Sequence, residues 1–282
     1  VIVNRNGQIK EGVQLGASYA FLIFYSLLIF LPVLWIIASS FKAGSTLFST
    51  SFFPREFSTV HYRILLQETN FPIWYRNTLV VALFNSMASV ILTSLRAYVF
   101  SRFSFRGKRL GMMTMLVLQM FPSFLAMVAI YVILLKLGLL DSIWGLLLVY
   151  VSGQIPFNTW ICKGYMDGIS RSLDESARVA GASNFAIFFR IILPLSKPVL
   201  VLVAINNFIT PWFDFIFPAL ILRSPEKMTL AVGIFNWISE QANENFTLFA
   251  AASMLVALPI TLLFLFLQRY IALGITAGAV KG

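Results

Sequence analysis

Six stretches of this chain stay apolar for about 20 residues or more, and that length constrains everything else. A helix needs about 20 mostly apolar residues to cross the hydrocarbon of a bilayer. The stretches run over roughly 17–40, 77–101, 110–135, 143–162, 198–220 and 247–270. Hydrophobic residues make up 59% of the 282, and charged ones only 11%, about half the charged share of a soluble domain. One aqueous core cannot hide that much apolar surface. The expected fold class is all-α: a polytopic membrane protein with a six-helix transmembrane domain over 17–270.

The polar segments between the stretches set the orientation. The N-terminus (1–16), the Arg102–Arg109 loop, residues 163–197 and the tail (271–282) with Arg269 just before it carry a net charge of +9 on one side. The other side carries +1. Lys and Arg accumulate on the cytoplasmic side, so both termini are expected to be cytoplasmic. The first stretch exceeds the 7–15 apolar residues of a signal peptide, so it is expected to remain as a helix. The net charge of +10 is spread among apolar runs with no basic–aromatic patch, which argues against nucleic acid.

Several chemistries are excluded by what the chain lacks. It has one His, His61, and one Cys, too few for a zinc site or a Ser-His pair inside the membrane. Gly107-Lys108 lacks the other residues of a phosphate-binding loop. Of the spans' ionisable groups, Arg96 and Asp214 fall at different depths, so a proton relay between them is not expected. No catalytic residue, metal or cofactor is assigned to this chain.

Segment 163–197 is longer than a turn between helices needs. Within it, Ser172 and Glu175 have capping-box spacing, and Gly181 suits the left-handed position after a helix. A second short helix is expected from Asn184, with Pro194 and Pro198 leading into the next span. Two such helices on the cytoplasmic face could dock into a partner's groove, and the spans are expected to fold independently of them.

Here the sequence resembles the EAA loop of permease subunits of ATP-binding cassette (ABC) importers. Glu175-Ser176-Ala177, Gly181 and Ile191-Ile192-Leu193-Pro194 follow the family pattern in order and spacing. Ser176 replaces the usual Ala, and Ala180 replaces an acid often found before the glycine. The resemblance is closest to MalG-type subunits of carbohydrate importers. Gln119-Met120-Phe121-Pro122, Thr229-Leu230-Ala231-Val232-Gly233, Leu258-Pro259-Ile260-Thr261 and the tail Thr276–Gly282 look like that subtype.

The resemblance implies a type I importer permease in the cell (inner) membrane of a bacterium or archaeon. It implies a second, MalF-like permease, a homodimeric ATPase that binds Mg-ATP, and an extracytoplasmic solute-binding protein that delivers an oligosaccharide or polysaccharide. Glu175, Ser176, Ala177, Gly181, Leu193 and Pro194 would form the ATPase-docking surface. Thr276, Gly278 and Lys281, in a tail that is flexible on sequence alone, would reach the ATPase. The polar segment 236–245, with Trp237, Glu240, Gln241 and Asn243, would meet the binding protein. Gln119, Asn206, Asn207 and Asp214 are the substrate-path candidates, with Trp212 and Phe213 beside the acid. Spacing does not separate that role from hydrogen bonding between helices. A secondary transporter or channel is the alternative, but it would not need the docking segment.

Overall fold

The computed structural model describes residues 5–44, 52–54, 56–241 and 246–279; the side chains of 5–13, 123, 238–241 and 269–279 lie outside the described set. The described residues are helical and form no strand. In order, they form α1 (Arg5–Ser40), α2 (Val60–Gln67), α3 (Phe71–Arg102), α4 (Lys108–Met120), α5 (Met127–Lys136), α6 (Ile143–Asp167) and α7 (Arg171–Val179). There follow α8 (Asn184–Ile187), a π-helical turn (Phe188–Ile192), α9 (Leu193–Leu195), α10 (Lys197–Phe213), α11 (Ile216–Ile221), α12 (Leu230–Gln241) and α13 (Phe246–Ala279). The chain divides into two compact units, 1–68 with 238–255 and 69–237 with 256–282.

Among the described residues, three helical stretches are long and apolar enough to cross a membrane: Gln14–Ser40, Phe71–Arg102 and Phe246–Gln268. Two bent pairs qualify only when each is joined, Lys108–Met120 with Phe124–Lys136 at 90° and Asn184–Leu195 with Lys197–Phe213 at 75°. The expected span over 110–135 is therefore broken around Pro122, whose ring removes a backbone donor. The span over 198–220 breaks at Asp214, between α10 and α11. At 25 residues α6 is long enough, but Ser152, Gln154, Asn158 and Thr159 dilute its apolar character.

In the first unit, most of α1 displays its Leu, Phe and Ile side chains outward, as a helix facing lipid or another chain does. Its last turn is anchored. The Tyr62 hydroxyl donates to Ser40 Oγ at 2.8 Å, and the Phe41 ring lies 4.9 Å from Phe57 and 5.4 Å from Tyr62. His61 is buried in α2. Burial lowers its pKa despite opposing hydrogen bonds to the Lys42 and Gly44 backbone.

In the second unit, α3 is the central element, packed along α6 and α10. Its buried face carries Asn77, Thr78, Asn85, Ser89, Thr93, Ser94 and Ser101, the small and polar residues that let membrane helices approach closely. Asn85 Nδ2 donates to Asn207 O at 2.7 Å, and Ser86 Oγ donates to Ala204 O at 2.9 Å. Val81, Leu134, Leu146, Tyr150, Phe217 and Ile221 form a core toward one end. Ala97, Tyr98, Cys162, Met166, Val199 and Val203 form another toward the other end.

The N-terminal end of α3 holds the segment 225–233. Trp74 Nε1 donates to Pro225 O at 2.7 Å, Asn77 Nδ2 donates to Glu226 O at 2.8 Å, and Thr78 Oγ1 accepts Leu230 N–H at 2.8 Å. From the other side, the Asp141 carboxylate accepts from Arg223 N, Ser224 N, Ser224 Oγ and Lys227 Nζ. Desolvation pulls the Asp141 pKa up, but these donors outweigh it and leave the pKa well below the usual carboxylate range.

Gly233 lies flat on Trp74: a Cβ there would fall 2.2 Å from the ring. The ring is pinned by its bond to Pro225 and cannot easily move away. Gly233→Ala should therefore displace the start of α12 and cost about 1–3 kcal/mol through overpacking. Faster hydrogen exchange over 225–237, with α6 unchanged, is the expected result.

Candidate functional site

The segment after α6 is built from two capped helices. Ser170 caps α7 by accepting Ser172 N–H at 3.3 Å, and Ser183 caps α8 by accepting Ala186 N–H at 3.2 Å. The expected Ser172–Glu175 capping box is therefore not the one used. Helix α7 begins a residue before Ser172, which moves Glu175 beyond the first turn and leaves it exposed. Gly181 does take the left-handed position, with φ +83°. Its N–H bonds Arg178 O at 2.9 Å, and Ala182 N–H bonds Ala177 O at 2.9 Å, the two bonds of a Schellman stop.

The segment is not independent of the spans. Ile187, Phe188 and Ile192 are buried in the core with Ala97, Met166 and Val199, and Leu193 packs against that core while Pro194 is exposed. A buried ion pair holds α7. Arg102 Nε, in the last turn of α3, lies 2.7 Å from Asp174 Oδ2, with side chains 2% and 4% exposed. The N–H does not point at the oxygen, so the attraction is chiefly Coulombic.

Further bonds surround this pair. Arg102 Nη2 donates to Ile169 O at 3.0 Å, Arg171 Nη2 to Ser101 O at 3.2 Å and Ser101 Oγ to Asp167 Oδ1 at 2.7 Å. Burial raises the Asp167 pKa, but Lys163 and Ser101 outweigh it and leave a net lowering. The Tyr98 hydroxyl donates to Asn184 O at 3.1 Å, so α3 grips both short helices. The residues left outward include Leu173, Glu175, Ser176, Arg178, Val179 and Phe185, whereas Ala177 is partly buried against the core. Val179 is 91% exposed, an unusual position for a branched apolar side chain on so polar a helix.

A separate cleft of about 660 Å³ lies among α4, α6 and α10. It brings together Gln119, Asn206 and Asp214, three of the four substrate-path candidates, and adds Gln154 and Asn158 from α6. Asn158 is 3% exposed, and its Nδ2 has no hydrogen-bond partner among the described residues. Asp214 accepts the Tyr150 hydroxyl at 2.9 Å and Phe217 N–H at 3.3 Å, so its carboxylate is fixed at the break between α10 and α11.

Asn207 does not line the cleft. It is buried against α3, with Nδ2 donating to Val203 O at 2.7 Å. Phe213 borders the cleft, whereas Trp212 is buried and meets Tyr75 edge-on at 5.4 Å. Gln154 and Asn158 went unnoticed in the sequence. Their i,i+4 spacing on an otherwise apolar helix was the available signal.

The expected polar loop from residue 236 is helical through Gln241, and Trp237 packs edge-on against Trp74 at 5.2 Å. Asn243 lies outside the described residues, as do the side chains of Glu240 and Gln241. Helix α13 continues past the expected span end at 270 to Ala279, through Thr276 and Gly278. Lys281 lies outside the described residues.

A family model described as binding-protein-dependent transport system inner membrane component matches residues 86–276. The chain belongs to that family. Relatives match it along nearly all of their length. The galactooligosaccharides transport system permease protein GanQ of Bacillus subtilis is 41% identical, covering 98% of both chains. The maltodextrin transport system permease protein MdxG of the same organism is 40% identical over 94% of this chain and 95% of its own. The maltose/maltodextrin transport system permease protein MalG of Yersinia pestis is 36% identical over 95% and 93%.

A solved bacterial ABC transporter involved in import of the acidic polysaccharide alginate shares the fold, with a TM-score of 0.79 at 23% identity over 96% of this chain and 99% of its own. The family match and the permease relatives make the chain a permease component of a binding-protein-dependent transport system.

Removing one member of a buried ion pair strands the other charge, at about 3–5 kcal/mol. Asp174→Ala should therefore loosen residues 169–180, read as faster hydrogen exchange there with α10 protection retained. Pairing Asp174→Leu with Arg102→Met should restore much of the protection, because no charge is left stranded.

Proposed function

We propose that this chain is the MalG-type half of a sugar importer's pore and that it conducts a neutral oligosaccharide. It would cross the membrane six times with both termini cytoplasmic, α6 counting as a span through packing rather than apolarity. A second, MalF-like permease would complete the pore. Two ATPase subunits would meet the outward face of α7 and α8, and a binding protein would meet the α12 side. The relatives named for galactooligosaccharide and maltodextrin transport support the substrate class.

The observation that carries the reading is the cleft. Gln119, Gln154, Asn158 and Asn206 offer paired donors and acceptors, which match the hydroxyls of a neutral sugar. Among the described residues no Lys or Arg lines the cleft, and the one carboxylate there is held by Tyr150. An acidic glycan would meet Asp214 with no cation beside it, and like charges in a partly desolvated site repel. Amide contacts can also be exchanged one at a time, as conduction requires.

ATP binding would close the partner ATPases and move the docked helices. Because Arg102 and Tyr98 hold those helices, the displacement would pass directly to α3 and so to α6 and α10, which wall the cleft. The substrate-delivery state and the release state would differ in which side of the cleft is open.

The reconstituted importer should show ATP hydrolysis stimulated by neutral oligosaccharides and not by uronate oligosaccharides of equal length. Equal or greater stimulation by uronates would overturn the substrate class. Asn158→Ala should lower transport several-fold while leaving assembly intact.

A second prediction concerns docking. Glu175→Gln, at an exposed position, should leave α7 folded yet weaken the hold of the ATPase on the membrane subunits. Gly181→Ala meets no atom within 4 Å, so its cost is backbone strain alone, about 1–2 kcal/mol. It should uncouple hydrolysis from transport. Unchanged ATPase retention in Glu175→Gln would remove Glu175 from the docking surface.

A further inference from the structure

A second cavity, of about 810 Å³, lies at the opposite end of α4 from the amide cleft. Lys108 and Arg109 on α4 and Lys163 on α6 bring three cations to its lining, and Leu110, Met112, Met113 and Trp160 give it an apolar wall. It is not a continuation of the cleft. The two share no lining residue, and they lie toward opposite ends of α4, at Lys108–Met113 and at Gln119.

The groups facing the cavity are partly accounted for. Lys108 Nζ donates to Phe103 O at 3.0 Å, and Lys163 pairs with Asp167. Asp167 feels the charge of both lysines, so three cations stand against one acid. An ammonium has three donors, and each of these bonds uses one. The Trp160 indole donates to Met112 O at 3.2 Å, which fixes the ring as part of the wall, close to the end of the apolar stretch expected over 143–162.

We propose that this cavity binds an anionic phospholipid, its phosphate between Lys108, Arg109 and Lys163 and an acyl chain along Met112, Met113 and Trp160. A soluble anion would use the cations and leave the methionine wall without purpose. A zwitterionic lipid would use the wall but present no net charge to the net cationic mouth. Only an amphiphile with a negative head uses both. Basic pockets beside membrane helices at the interface favour such headgroups, by about fivefold for each cation. The site stands apart from the transport reading, since it shares no residue with the cleft or the outward face of α7.

The test is native mass spectrometry of the importer complex purified in detergent, with phosphatidylglycerol or phosphatidylcholine of equal acyl length added back. Phosphatidylglycerol should be retained at least tenfold better than phosphatidylcholine by the wild type. Lys108→Gln with Arg109→Gln should abolish that preference. Met113→Trp, which fills the wall without altering a charge, should lower phosphatidylglycerol retention too.

Equal retention of the two lipids, or a preference untouched by the double variant, would overturn the proposal. So would displacement of the lipid by millimolar inorganic phosphate together with normal retention in Met113→Trp, which would assign the site to a free anion. Because the retained lipid is counted on an assembled complex, loss of transport activity in a variant does not enter the result.

Discussion

Two opposite charges, each almost removed from water, meet where α3 ends and α7 lies across it. Arg102 and Asp174 are the constraint on which the rest of the second unit depends. Neither could remain there alone: a single buried charge costs several kcal/mol, and the pair is tolerated because attraction and the surrounding donors offset that cost. The pairing dictates that α7 presents its Asp174 face inward. Glu175, Ser176 and Val179 must then face outward. The exposed surface proposed for docking is thus a consequence of what is buried beneath it.

The same helix acts at its other end. Over 32 residues, about 48 Å of helix, α3 runs from Trp74, Asn77 and Thr78, which hold the segment before α12, to Tyr98, Ser101 and Arg102, which hold the segment before α10. Between these ends its small buried residues keep it against α6 and α10 without bulky side chains that could re-pack. It has no internal proline or break. The helices that border the cleft are different: α6 carries Pro156, α10 carries Pro211 and stops at Asp214. The stiff element therefore carries the attachments, and the interrupted elements carry the polar lining.

The polar residues inside the apolar helices divide into two kinds. Asn85 and Asn207 are buried where α3 packs on α10: Asn85 Nδ2 bonds the Asn207 backbone carbonyl, and Asn207 Nδ2 bonds Val203 O within its own helix. Gln119, Gln154, Asn158 and Asn206 converge on a cavity instead. Composition does not distinguish them, since Asn206 and Asn207 are adjacent and differ only in which side of α10 they occupy. A 100° step around the helix is the whole difference between a structural amide and one that can meet a sugar.

Much could be read from the chain alone, because membrane insertion leaves few options. The apolar lengths gave helices, the charge asymmetry an orientation to test, and the glycine and proline punctuation of 163–197 a helix–turn–helix with a left-handed stop at Gly181. Those signals are local: hydrophobic length, backbone conformation and a missing donor act over a few residues. The capping residue was misjudged by two positions, as Ser170 and Ser172 are chemically equivalent and only the path out of α6 selects between them. The Arg102–Asp174 pair, the division of the asparagines and the meeting of Gly233 with Trp74 were decided by tertiary structure. Each joins residues far apart in the chain or depends on which face of a helix is buried. Periodicity alone does not determine that face once a helix is apolar all round.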